Sequence, residues 1–188
     1  MGKHVLFIHS AGPQGPGQGS DKLIKYLQRT LDRSYSIMCP VMPEPEHPAY
    51  GTWKKKLGHQ LDLIDDEVVL IGHSLGGSVL VKYFSEIPYQ KPIAGLFIIA
   101  SPFWGDGGWE LDEYNLKPHF SKNLSFIPKV FLYHSRDDKW VPFHHQSLYA
   151  GQFPQATVRK FDNYGHGFEH PFPELVNDIK SLESESNK

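Results

Sequence analysis

Short apolar runs alternate with amphipathic stretches from one end of this chain to the other. Residues 5–9 are apolar with no polar alternation, the pattern of a strand covered on both faces. Residues 67–72, 93–100 and 129–134 read the same way, and 35–39 and 157–162 complete a set of about six strands. Between them lie segments of helical period. Leu23, Ile24, Leu27 and Leu31 predict a helix that Ser20 would N-cap. Trp53, Leu57, Leu61 and Ile64 predict another over residues 52–64. Residues 75–86, ended before Pro88, then 143–151 and 172–182 supply three more. Strand followed by helix, repeated, predicts a doubly wound α/β domain with a mostly parallel sheet and helices on both faces.

One interval breaks the rhythm. Residues 102–120 lack a clean period yet carry Phe103, Trp104, Trp109, Tyr114 and Phe120. Such an excursion at one edge of the sheet could wall an apolar substrate pocket, with Phe103, Trp104 and Trp109 as candidates, or simply cover core.

The 188 residues suit one domain spanning 1–188, with 183–188 expected as a frayed tail. A net charge of −2, and no basic run longer than Lys54-Lys55-Lys56, argue against nucleic acid or an anionic membrane as partner. Cys39 is the only cysteine, so an internal disulfide is impossible and a reducing compartment is favoured. No stretch reaches the roughly 18 apolar residues of a membrane span, and the apolar run after His4 is too short for a secretory leader. The expected location is cytoplasmic.

The chemistry starts at Gly72-His73-Ser74-Leu75-Gly76, which fits G-x-S-x-G between a buried strand and a helix. That context puts a serine on a strained turn with its hydroxyl exposed at the carboxyl end of the sheet. Gly72 and Gly76 remove side chains where the turn closes, and the Leu75 N–H, at the helix N-terminus, can donate to an oxyanion. The same residues could form a plain Gly-Ser helix cap, but the flanking strand and helix favour the nucleophile. His73 fills the variable position and is expected to pack beside the site.

A serine hydroxyl needs a base to take its proton, and in this layout an acid and then a histidine follow on later loops. Ser135-Arg136-Asp137-Asp138 follows the 129–134 strand, and Gly165-His166-Gly167 follows the 157–162 strand. His166 is the expected base. Asp138 is favoured over Asp137 as the acid because it stands in D-x-x-V-P with Val141-Pro142, leaving Asp137 to cap the turn or the following helix. His144, His145 and His170 read as surface or packing residues. No H-E-x-x-H spacing occurs, so no metal site is expected, and no cofactor is implied. The second oxyanion donor should come from Ile8-His9-Ser10-Ala11-Gly12, with Ala11 N–H preferred and Ser10 the alternative. A phosphate loop at 11–19 is excluded: no Gly-Lys-Ser/Thr follows, and Pro13 and Pro16 lack N–H donors.

These motifs together resemble the small, capless YdeN-like and retinoblastoma-binding serine hydrolases. The likeness rests on Ile8-His9-Ser10-Ala11, Met42-Pro43 with Trp53, Ile71-Gly72-His73-Ser74, Asp137-Asp138 leading to Val141-Pro142-Phe143, and Gly165-His166. It implies an α/β-hydrolase fold without a cap domain, a catalytic set at Ser74, Asp138 and His166, and carboxylesterase-like activity on a small-molecule ester. It departs from many such enzymes in placing Ser10 where His-Gly is usual. No retinoblastoma-binding motif is matched, so no protein partner is carried over. Thioesterase, amidase or acyltransferase chemistry would use the same three side chains. A non-catalytic binding module would be expected to have lost one of them.

Overall fold

The apolar runs become six strands, and the pleat divides their side chains between two faces. A computed structural model describes residues 3–185. The strands are β1 (Lys3–Ile8), β2 (Tyr35–Met38), β3 (Val68–His73), β4 (Ile93–Ile99), β5 (Val130–Ser135) and β6 (Thr157–Phe161). They form one sheet in the order β2-β1-β3-β4-β5-β6, and every neighbouring pair is parallel. The expected mostly parallel sheet is therefore wholly parallel.

Five α-helices cover it: α1 (Asp21–Thr30), α2 (Tyr50–Asp62), α3 (Leu75–Glu86), α4 (His144–Gln152) and α5 (Pro173–Glu185). Leu6, Ile8, Leu70, Leu96, Ile98 and Leu132 pack with Trp53, Leu57 and Leu61 of α2, Val79, Leu80 and Phe84 of α3, and Tyr149 of α4. The alternate residues Val5, Phe7, Val69, Ile71, Phe97, Ile99 and Phe131 pack on the other face with Leu23, Ile24 and Leu27 of α1 and Leu175 and Ile179 of α5. Both faces are sealed, which is why the strands read as unbroken apolar runs.

Boundaries differ from the sequence expectation by a few residues. α2 begins at Tyr50, and α5 runs on to Glu185, into the segment expected to fray; residues 186–188 of that tail lie outside the described residues. Ser20 precedes α1, but its side chain makes no capping bond. The Trp53 indole, fully buried, donates to the Pro43 carbonyl at 2.8 Å, which ties the proline-rich loop after β2 to α2.

The excursion after β4 is irregular up to a 3-10 turn at Phe120–Leu124, and it is tethered. Lys82 of α3 donates to Asn115 O (2.7 Å), the Tyr50 amide to Glu113 (2.8 Å) and the Tyr114 hydroxyl to Pro48 O (2.9 Å). No helix among the described residues is long and apolar enough to cross a membrane.

Candidate active site

A parallel sheet sends every strand's following loop to one edge, so the loops after β1, β3, β5 and β6 meet there. Ser74 stands between β3 and α3 with φ 53° and ψ −124°, a conformation that a non-glycine residue holds only when its surroundings enforce it. The enforcement is visible. A Cβ on Gly72 would come within 2.4 Å of the Gly77 backbone, and one on Gly76 within 2.2 Å of the Ile8 carbonyl oxygen. Ser74 N–H is anchored to Ile99 O at 2.8 Å. From Val68 to Phe84 every residue is buried except Ser74. The chain thus presents one hydroxyl to solvent from an otherwise sealed strand–helix unit, with the positive end of α3 behind it.

Asp138 and His166 meet as the sequence order required: His166 Nδ1 donates to Asp138 Oδ2 at 2.8 Å. A carboxylate only accepts, so the His166 proton sits on Nδ1 and the basic lone pair is left on Nε2. The ring is 18% exposed, whereas the Asp138 side chain is fully covered. Burial by itself would raise the Asp138 pKa. Hydrogen bonds from His134, His166 and the Val141 amide outweigh it and hold the carboxyl below the usual carboxylate range. Its second oxygen accepts from the Trp140 (2.9 Å) and Val141 (3.0 Å) amides.

Ser74 Oγ makes no hydrogen bond to His166 among the described residues. The two are linked one residue away. His73 Nε2 lies 2.8 Å from His166 O, and the two imidazoles are 5.2 Å apart. Contacts between nucleophile and base commonly close only when substrate is bound.

Asp137 has a different task from the expected turn cap. Its Oδ1 accepts from the Ser135 hydroxyl and, at 2.9 Å, from the Gly165 amide; Ser135 Oγ accepts from Tyr164 N at 3.0 Å. The acid loop and the histidine loop are laced together by these bonds. The histidine loop is also anchored by Phe168, whose buried ring contacts Phe161, Tyr164 and Phe172.

The first loop separates Ser10 from Ala11. The Ser10 amide is consumed by Ser20 Oγ at 3.1 Å, and the Gly12 amide by Pro45 O at 2.6 Å. The exposed Ala11 amide has no acceptor among the described residues, and the Leu75 amide, first in α3, has none within its helix.

His134, read from sequence only as a strand residue, places Nε2 3.2 Å from Asp138 Oδ2 and 2.9 Å from Val141 O. His145, expected at the surface or in packing, is fully buried and accepts from the Phe103 amide at 2.9 Å. In the excursion, Phe103 packs inward on Phe120 and Tyr149 and borders a cleft of about 280 Å3. Trp104 and Trp109 meet edge to face at 5.4 Å, Trp109 also contacts the His145 ring, and it is 37% exposed. A larger cleft, about 470 Å3, lies at the end of α3 beside Phe126, on the opposite edge of the sheet. Among the described residues no three His, Cys, Asp or Glu side chains cluster as a metal site.

Sheet order, elbow and loop placement together define an α/β-hydrolase. The chain belongs to the serine hydrolase family, whose model matches residues 18–170. Solved structures agree on the fold. The ydeN gene product from B. subtilis superposes with a TM-score of 0.80 at 19% identity, over 97% of this chain and 99% of that one. Est1E from Butyrivibrio proteoclasticus gives 0.70 at 13% identity, over 98% and 88%. An esterase from Exiguobacterium antarcticum gives 0.65 at 14%, over 100% and 92%. No curated protein matches the sequence.

Proposed function

We propose that this chain is a carboxylesterase-like hydrolase that cleaves small esters through an acyl-enzyme on Ser74. The observation that carries the reading is the 2.8 Å bond from His166 Nδ1 to the covered Asp138 carboxylate, beside a strained turn whose single accessible residue is Ser74.

His166 Nε2 takes the Ser74 proton as Oγ attacks the ester carbonyl. The resulting oxyanion is held by the Leu75 and Ala11 amides, each such donor being worth on the order of 10²–10³ in rate. His166 then gives its proton to the leaving alcohol. Water, activated by the same ring, attacks the acyl carbon, and the proton returns to Ser74 as the acid departs. Asp138 keeps the ring in the Nδ1–H tautomer and stabilises the imidazolium formed in each half-reaction.

Trp109 and Trp104, with Phe103 behind them, supply the apolar wall of the acyl or alcohol subsite. An esterase in the same fold, and Est1E with ferulic acid bound, support ester substrates and an aromatic-tolerant pocket. Burial pushes the Cys39 thiol up to about 12, so it stays protonated and is no rival nucleophile to Ser74.

The test is labelling with a fluorophosphonate probe alongside p-nitrophenyl acetate turnover. Wild-type protein should label and turn over, and Ser74→Ala should do neither. Equal labelling of the two would overturn the assignment.

A further inference from the structure

His73 takes part in none of these steps, yet both its ring nitrogens are occupied at 2% exposure. Nε2 is 2.8 Å from the His166 carbonyl oxygen and Nδ1 is 2.9 Å from Ser20 Oγ. A carbonyl only accepts, so Nε2 carries the proton and Nδ1 accepts from the Ser20 hydroxyl. Ser20 Oγ in turn accepts from the Ser10 amide at 3.1 Å. One directional chain therefore runs from Ser10 N–H through Ser20 and His73 to His166 O. It joins the loop after β1, the start of α1, the elbow and the loop after β6. Burial, with the neighbouring His166 adding to it, pushes the His73 ring down to about 3, so the polarity of the chain does not reverse at neutral pH.

We infer that His73 is a positioning residue. It holds the backbone of His166 beside Ser74 and, through Ser20, fixes the His9–Ser10 peptide, so that the next amide along, Ala11 N–H, is the one left for the oxyanion. This rests on the roles given above to Ser74, His166 and Ala11. The placement is compatible with no other tautomer of the ring, because a proton on Nδ1 would leave a bare Nε2 against the His166 carbonyl.

The test has two arms on the intact protein. Nitrogen-15 histidine NMR at neutral pH should show His73 as the Nε2–H tautomer, and an Nδ1–H tautomer would overturn the inference. In the same spectra, His73→Leu should move the Nδ1–H proton resonance of His166, and an unmoved signal would also overturn it. Neither readout needs turnover, so a wild type inert to esters and probe would sink the hydrolase reading while this arm still decides on His73.

Kinetics form the second arm. His73→Leu should lower kcat by about 10–100-fold with KM nearly unchanged, the scale of a small misplacement of reacting groups. His73→Gln, whose amide nitrogen reaches the place of Nε2, should recover most of that loss. Equal kcat in the Leu and Gln variants, at matched thermal stability, would refute positioning. Should the Leu variant not fold, Ser20→Ala removes only the middle link. It should lower kcat severalfold with wild-type melting, and an unchanged kcat there would refute the Ser20 half.

Discussion

Asp137 Oδ1 accepts from the Gly165 amide at 2.9 Å, one residue before the histidine whose ring Asp138 holds at 2.8 Å. Two adjacent aspartates thus divide one task, Asp137 setting the path of the loop and Asp138 the tautomer of the ring. Asp138→Asn would put an amide against Nδ1 and favour the wrong tautomer, so kcat should fall by about 10⁴, the scale seen for that change in another serine hydrolase. Asp137→Asn keeps an acceptor for Gly165 and should cost less than about tenfold. Ester turnover by the two purified variants checks this, and the reverse ranking would reassign the acid.

The turn at Ser74 is closed by backbone contact, so a methyl group is too much for it. Gly76→Ala would drive its Cβ to 2.2 Å from the Ile8 carbonyl oxygen, backbone that cannot swing away. A loss of roughly 3 kcal/mol or more is expected, together with activity. Gly51 in α2 is the control: nothing lies within 4 Å of its Cβ position. Gly51→Ala should stabilise by about 0.5–1 kcal/mol. Urea denaturation of both variants measures the contrast, and equal effects would contradict the packing account.

Phe168 anchors the histidine loop from within the core although its own φ is 48°, unusual for a bulky residue. Its burial against Phe161 and Phe172 outweighs that strain. Phe168→Ala should cost about 3–5 kcal/mol and depress kcat, because the loop bearing His166 loses its apolar anchor. Phe168→Leu, which keeps most of the volume, should recover much of both. Melting curves and kcat taken together decide it, and an Ala variant of wild-type stability would exclude the anchor.

The strands were legible because a strand sealed on both faces leaves an unbroken apolar run, as Ile93–Ile99 does. Ser74 was legible because its turn is local: strand, glycine, serine, glycine and helix are contiguous. Asp138 and His166 could be ordered along the chain, but the bond that separates Asp138 from Asp137 closes over 28 residues. Ser20 shows the limit. A local rule makes it an N-cap, whereas its hydroxyl is committed to His73, 53 residues away. The bond from His73 to His166 spans 93 residues, and the side of His134 that supports Asp138 depends on how the next loop folds back. Such pairings leave no period in the chain, so the residues that position the site stayed hidden while those that react did not.

Buried neutral histidines set the acid stability of the fold. Burial, reinforced by His166 for His73 and by His144 and His134 for His145, pushes these rings from 6.5 down to about 3 and about 4. In the unfolded chain both take up protons as pH falls through 6.5, while the fold refuses them. The unfolded state then binds more protons, so stability rises with pH across this window. The contribution is complete above 6.5 and is lost progressively on the way down to the folded values. Each ring costs about 1.4 kcal/mol per pH unit, or about 4 kcal/mol for the pair between pH 7.5 and 5. Glu86 enters only later. Burial raises its pKa, but the bonds from Lys54, Tyr50 and Lys82 prevail and hold it at about 2. Its stabilisation is present above 4.5 and fades only below that. Urea denaturation should therefore show a marked fall in stability from pH 7.5 to 5. His145→Asn, which keeps an acceptor for the Phe103 amide but cannot take up a proton, should make that slope shallower. A wild type equally stable at both pH values would contradict the burial of these two neutral rings.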